Sequence, residues 1–308
     1  MVTWPSQAAC RLRGFGRGEI ARSPPLFCGT ARHRPAFRCA GSRLEGPIGS
    51  SEACKAAAPS GRLGRRKPLH LSQREPILNI PGVIAVLAGV MILVHCWRVF
   101  VLDPETDIQV LLTFAFIPAR FERSLAASWG FPGGIAADIW SFVTYAFLHA
   151  DWTHLGVNVL WFVVFGSPVA RRFGTLRSLA FFVVTAAIGA AAHLAANGAE
   201  LAPMIGASAA VSGFTAAAVR FVFQSGGPLG PMRSAHPDAY HVPALSLPDL
   251  VRNGTVMGMI TVWILLNVVF GAVSLPIPGA EGQIAWQAHL GGFVAGLVLF
   301  RLFDPVAA

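Results

Sequence analysis

IPGVIAVLAGVMILVHCWRVFVL, residues 80–102, is the stretch on which the fold turns. It is an apolar run near the ~20 residues that a helix needs to cross a ~30 Å hydrocarbon layer. Runs of the same kind recur at about 153–170, 178–197, 204–223, 254–275 and 284–303, the second and fourth of the resulting six being interrupted by polar residues. The pattern predicts an all-α polytopic membrane protein with six transmembrane helices over residues 77–308.

Composition agrees with that reading. Of 308 residues, 54% are hydrophobic and 13% charged, and the mean hydropathy is +0.57, far from a soluble domain of this length. The net charge of +9 does not point to nucleic acid, because most of the Arg and Lys precede residue 75, outside any apolar segment. The five cysteines form no CxxC pair and are odd in number, so neither a disulfide framework nor a zinc site is indicated. No metal and no cofactor is predicted.

Residues 1–76 are rich in Arg, Gly, Ser, Pro and Ala without a sustained period of 2 or 3.6, which predicts a disordered basic tail. A mitochondrial transit peptide or a mis-assigned start codon would read the same way. Between the first two spans, VLLTFAFIPARF (110–121) is too short to cross and is expected to lie in the interface or dip into the outer leaflet.

Short-loop basic residues set the orientation. Arg171, Arg172, Arg177, Arg220, Arg252 and Arg301 fall on one side with the tail if both termini are inside. Arg98, Arg120 and Arg123 in the long first outer loop count against this. The cell membrane expected is the bacterial plasma membrane, with the mitochondrial inner membrane as the lesser reading. No internal repeat accompanies the spans, which disfavours a small-solute transporter of inverted-repeat type.

With both termini inside, spans two, four and six start at the outer side, and three sets of polar groups then share one depth: His154 with Asn158, Ser208, and His289. A polar side chain without a partner in a bilayer costs roughly 1 to 3 kcal/mol, so these groups should face one another or water. His154 and Asn158 are four apart, on one helix face. His289 shares a face with Gly292 and Gly296, a small-xxx-small surface that lets a second helix approach closely, and GASAA (206–210) offers the matching smooth surface. That packing brings a hydroxyl nucleophile, Ser208, toward an imidazole base, His289. Backbone N–H groups at the start of span four, with His154 and Asn158, supply donors for an oxyanion. No Asp or Glu in the spans is available to orient His289, so the expected pair is a dyad.

The sequence resembles the rhomboid intramembrane serine proteases over roughly residues 77–303. HADWTHLGVNVLWFVVFG (149–166) is similar to the family's second-span H-x-x-x-N stretch, carried by His154 and Asn158. GASA (206–209) resembles its G-x-S-x nucleophile motif, with Gly206 and Ser208. AHLGGFVAG (288–296) resembles its final-span A-H-x-x-G-x-x-x-G, and WSFVTYAFLHA (140–150) its first-loop segment. Three positions depart: Ser141 where Arg often stands beside Trp140, Ala209 where Gly commonly follows the serine, and Ser212 where an aromatic ring often packs on the histidine, so that another group must orient His289.

The resemblance implies a six-helix rhomboid-like bundle that cleaves transmembrane segments of other proteins near the outer face. Ser208 would attack and His289 would serve as base and then acid, through an acyl-enzyme. The alternative it allows is a proteolytically inactive relative that binds transmembrane helices. The expected partners are transmembrane protein substrates and the lipid bilayer, with no nucleic acid. A three-histidine metal site from His149, His154 and His289 lacks a supporting carboxylate. His193 shows no evident role, Asp151, Trp152 and Trp140 read as interface residues, and the Pro/Gly-rich stretch 224–249 reads as a flexible inner loop.

Overall fold

A computed structural model describes residues 79–232, 236–272 and 285–306, all within one compact unit, residues 70–308. The tail predicted over residues 1–76 and the segment 273–284 lie outside the described residues. Among those described, the regular structure is helical, apart from an isolated bridge between Phe116 and Met204.

Among the described residues four helices are long and apolar enough to cross a membrane, which makes this an integral membrane protein: α1 (Gly82–Phe100), the continuous span Trp152–Phe173, α7 (Thr175–Ala196) and α11 (Trp286–Phe303). Of the other two predicted spans, one is the shorter apolar helix α8 (Ser208–Val219) and the other is α10 (Gly254–Ala272), apolar over the described Gly254–Val269. The expected interruption of the second span takes the form of a π turn, Phe162–Gly166, joining α5 (Trp152–Trp161) to α6 (Ser167–Phe173). Pro168 cannot donate to the turn before it, and one wider turn accommodates that loss without ending the helix.

The loop between the first two spans is a folded unit. It contains α2 (Pro104–Phe114), a 3-10 turn (Pro118–Phe121), α3 (Arg123–Trp129) and α4 (Gly134–Thr144). Its start is set by Asp103, which accepts hydrogen bonds from the backbone N–H groups of Glu105 and Thr106, with Pro104 in the first turn. Phe116, Ile117 and Ala119, expected at the interface, are fully buried; Phe116 exchanges backbone hydrogen bonds with Met204, and the Ala119 N–H donates to the Glu200 carbonyl. Two arginines that ran against the charge bias are structural. Arg98 forks onto Asp107 at 2.6 and 3.0 Å and donates to the His149 carbonyl, and Arg120 donates to the Pro132 and Leu112 carbonyls and pairs with Asp138. Arg120 therefore pins the loop beside Trp140, where Ser141 cannot.

The core is built around α8. Every residue from Ala209 to Val219 is buried, and the small side chains let neighbouring backbones come close. A methyl added to Gly292 would sit 2.0 Å from the Ala209 carbonyl oxygen, and one added to Gly296 would sit 2.2 Å from that of Gly213. On the other side, a methyl on Gly189 of α7 would meet the Ala209 side chain at 2.5 Å. Where α8 ends, buried Arg220 donates to the carbonyls of Leu245 and Leu297.

The stretch 224–249 departs from the flexible loop expected of it. It contains a 3-10 turn, Pro237–His241, and leads into α9 (Leu247–Arg252), which Ser246 caps. Buried Arg172 holds it: the guanidinium donates to the carbonyls of Tyr240 and Val242 at 2.8 Å and forks onto Asp304, past the end of α11, at 2.8 and 2.9 Å. Proline and glycine content could not reveal a clamp supplied from another helix.

The glycine contacts make the packing testable. Gly292→Ala or Gly296→Ala forces a methyl onto backbone that no rotamer change can move, and the expected cost is about 2 to 3 kcal/mol. Gly258→Ala on α10, where nothing lies within 4 Å of the added methyl, should be neutral or raise stability by up to about 1 kcal/mol. Thermal unfolding in detergent separates the two classes, and equal melting temperatures would contradict this account of the core.

Candidate functional site

Ser208, His154 and His289 each lie in the first turn of a helix. Ser208 is the first residue of α8, His154 the third of α5 and His289 the fourth of α11. The sequence placed Ser208 about one turn inside its span, whereas the chain before it is extended: Met204 is bridged to Phe116, and Gly206 has a φ of +115°, a conformation that favours glycine. The helix starts at the serine because the preceding backbone is committed to these other contacts.

Gly206 also decides the position of His154. A methyl at residue 206 would lie 2.6 Å from His154 Nε2, so the imidazole edge rests directly on the backbone two residues before Ser208. The Ala150 backbone N–H points to His154 Nδ1 at 3.5 Å, a long contact that favours the tautomer with Nε2 as donor. Asp151, read from sequence as an interface residue, caps α5 instead by accepting from the His154 backbone N–H at 2.8 Å. Asn158 is buried and its amide donates to the His154 carbonyl at 2.9 Å, which ties one of its two N–H groups to its own helix.

The segments carrying Ser208 and His289 are neighbours. The added methyl at Gly189 that would meet Ala209 would also lie 2.9 Å from the Ala288 carbonyl oxygen, so the residues next to Ser208 and His289 share one contact on α7. Among the described residues, however, no hydrogen bond joins the Ser208 hydroxyl to His289. The Ser212 hydroxyl turns back onto the Ser208 carbonyl at 2.7 Å and leaves the imidazole alone.

What touches His289 is a residue that the motifs did not contain. Asn267 Oδ1, from α10, lies 2.6 Å from His289 Nδ1, and Asn267 Nδ2 donates to the Trp263 carbonyl at 2.8 Å. The available sequence signal was a lone amide in an otherwise apolar span. His193 pairs with Glu200 at 3.3 Å and contacts Asn197 at 3.2 Å.

Behind His154 lies a second histidine layer. The rings of His149 and His154 are 5.2 Å apart, and His95 of α1 packs edge-on against Trp152 at 4.6 Å. His95 and His149 are 1% and 0% exposed, and neither ring makes a hydrogen bond among the described residues. Burial, aided by the neighbouring imidazoles of His154 and His95, pushes the His149 imidazole down to about 3. Among the described residues no group of three or more His, Cys, Asp or Glu side chains is arranged to hold a metal ion.

Comparison with known proteins adds a family. Residues 136–304 match the profile of the Rhomboid domain. The rhomboid protease GlpG of Haemophilus influenzae is 31% identical over 52 residues, 17% of this chain and 27% of that protein. An uncharacterized protein of Mycobacterium bovis is 28% identical over 176 residues, 54% of this chain and 60% of its own length, and a Mycobacterium tuberculosis protein matches to the same extent. The chain thus spans less than two thirds of the length of these relatives.

The buried, neutral His149 gives this region a pH signature. A histidine that charges freely only when unfolded removes stability as pH falls below its ordinary 6.5, and the loss continues until the folded-state value of about 3 is reached. One such group contributes a slope of about 1.4 kcal/mol per pH unit. His149→Phe should make unfolding free energy in detergent less steep by about that amount between pH 6 and pH 4. An unchanged slope would show that His149 is not the source.

Proposed function

Because the chain belongs to the rhomboid family, we propose that it is an intramembrane serine endopeptidase that cleaves transmembrane segments of other membrane proteins, with Ser208 as nucleophile and His289 as base. The observation that carries this reading is the meeting of three helix N-termini. Ser208 opens α8, His154 rests on Gly206 just before it, and the backbone beside His289 shares the Gly189 contact with the backbone beside Ser208.

In the proposed reaction the Ser208 Oγ–H proton passes to His289 Nε2 as oxygen bonds to the scissile carbonyl carbon. The carbonyl oxygen becomes an oxyanion. Donors for it are the backbone N–H groups opening α8, which have no partner within the helix and lie at its positive end, together with His154 Nε2–H and the second N–H of Asn158. The proton then moves to the leaving amine as the C–N bond breaks, and water resolves the acyl-enzyme by the same steps in reverse. A helical substrate keeps its carbonyls hydrogen-bonded, so segments with small or helix-breaking residues near the cut should be preferred.

The proposed orientation has both termini inside a bacterial plasma membrane and the site toward the outer face. Exposed Arg177, Arg252 and Arg301 support it, as do the bacterial relatives. Burial of Arg98 and Arg120 in ion pairs removes the main objection from charge bias.

The missing Ser208–His289 hydrogen bond favours a second reading, a non-proteolytic relative that binds transmembrane helices. Hydrogen bonds of this type are often long or unaligned before substrate arrives, and so the enzymatic reading is preferred. A fluorophosphonate probe discriminates. The enzyme should be labelled on Ser208, Ser208→Ala should lose both labelling and cleavage of a model transmembrane peptide by at least about 1000-fold, and His289→Ala should lose labelling comparably. Undiminished cleavage by Ser208→Ala, or no labelling of the folded protein, would end this proposal.

A further inference from the structure

The Asn267 contact settles a question of chemistry that the motifs leave open, namely which nitrogen of His289 is free to accept a proton. An Asn side chain has one end that only accepts and one that only donates. Here Nδ2 donates to the Trp263 carbonyl at 2.8 Å, which places Oδ1 against His289. An oxygen that can only accept, 2.6 Å from Nδ1, requires the proton on Nδ1. Nε2 is then left with its lone pair.

The surrounding packing fixes this arrangement. Helices α10 and α11 run antiparallel along a seam in which Trp263 stacks on Phe293 at 4.2 Å and a methyl added to Gly271 would meet the Trp286 side chain at 2.5 Å. Asn267 faces His289 between these two contacts, so neither helix can slide without breaking one of them. Among the described residues no other side chain is hydrogen-bonded to Nδ1. The Ser212 hydroxyl is committed to the Ser208 carbonyl, His193 to Glu200 and Asn197, and His154 rests on Gly206.

We propose that Asn267 is the positioning residue for His289: its carbonyl oxygen holds the imidazole in the Nδ1–H tautomer, leaving Nε2 to receive the Ser208 proton. This rests on the reading of Ser208 and His289 as nucleophile and base. Asn267 touches neither substrate nor the reacting atoms. When the ring becomes an imidazolium, the same oxygen accepts from a better donor and the ring need not rotate.

The test uses the full chain in detergent, with fluorophosphonate labelling and cleavage of a model transmembrane peptide as readouts. Asn267→Ala should lower both the labelling rate and kcat by about 10- to 100-fold, the range found when a histidine loses its orienting partner, with KM changed less than about twofold. Asn267→Asp, which restores an acceptor oxygen, should recover most of that loss. Wild-type rates in Asn267→Ala, with Ser208→Ala inactive, overturn the role of Asn267 and leave the proposed function standing. Full activity in Ser208→Ala overturns the proposed function itself. Should Asn267→Ala fail to fold, nitrogen NMR of the wild-type protein with labelled histidine decides: an Nδ1-protonated His289, assigned by its loss in His289→Gln, supports the proposal, and an Nε2-protonated neutral ring overturns it.

Discussion

The contact between Gly292 and the Ala209 carbonyl, 2.0 Å from any methyl that might be added, is the constraint on which the rest of the structure depends. In a bilayer the apolar exterior gives helices no hydrophobic reason to associate, because lipid tails are as apolar as leucine. Association has to come from close packing and polar contacts. α8 meets that requirement with Ala, Gly, Ser and Thr along most of its length, and α7 and α11 meet it with Gly189, Gly292 and Gly296. Any larger residue at the crossing would separate the backbones that carry Ser208 and His289 before it disturbed anything else.

Much of this could be read from the sequence, for identifiable reasons. Hydropathy located the long apolar helices because burial in lipid leaves a compositional mark, and helical spacing placed Gly292 and Gly296 on the face of His289. Hydropathy could not separate the long helices from the shorter α8, since it sees apolar residues and not where the backbone leaves the helix. Residues 204–207 looked like the start of a span, yet the Met204 backbone pairs with Phe116 and the Gly206 N–H donates to the Tyr145 carbonyl. The buried arginines were misjudged for a similar reason. Charge counting treats Arg98, Arg120, Arg172 and Arg220 as solvated, whereas each is buried and paired with carbonyls or carboxylates, Arg120 through its terminal nitrogens alone.

The site itself was legible only in part. Motif spacing named Ser208, His154, Asn158 and His289, but it said nothing about hydrogen-bond direction. The structure shows Asn158 tied to the His154 carbonyl and Ser212 tied to that of Ser208, neither of which follows from spacing. Asn267 was missed because its meaning depends on the α10–α11 register, a tertiary property. A single amide in a strongly apolar helix is weak evidence alone. It becomes informative once its two ends are seen to be engaged by a carbonyl and an imidazole.

The choice of an amide at residue 267 follows from its surroundings. A carboxylate would stabilise an imidazolium more strongly, but within an apolar helix it would carry a large desolvation cost whenever the imidazole is neutral. In the proposed reaction the neutral ring of His289 is the resting state of the base, so that cost would be present most of the time. An amide oxygen accepts the same Nδ1–H bond without bringing charge into the membrane, and its nitrogen is satisfied by a carbonyl of its own helix. The amide gives up some stabilisation of the charged ring in exchange for a neutral site that is cheap to maintain. On this argument, orientation and tautomer are the properties a membrane-buried base can obtain from its partner at low cost, and much of the charge stabilisation must come from the helix N-termini that open at the same place.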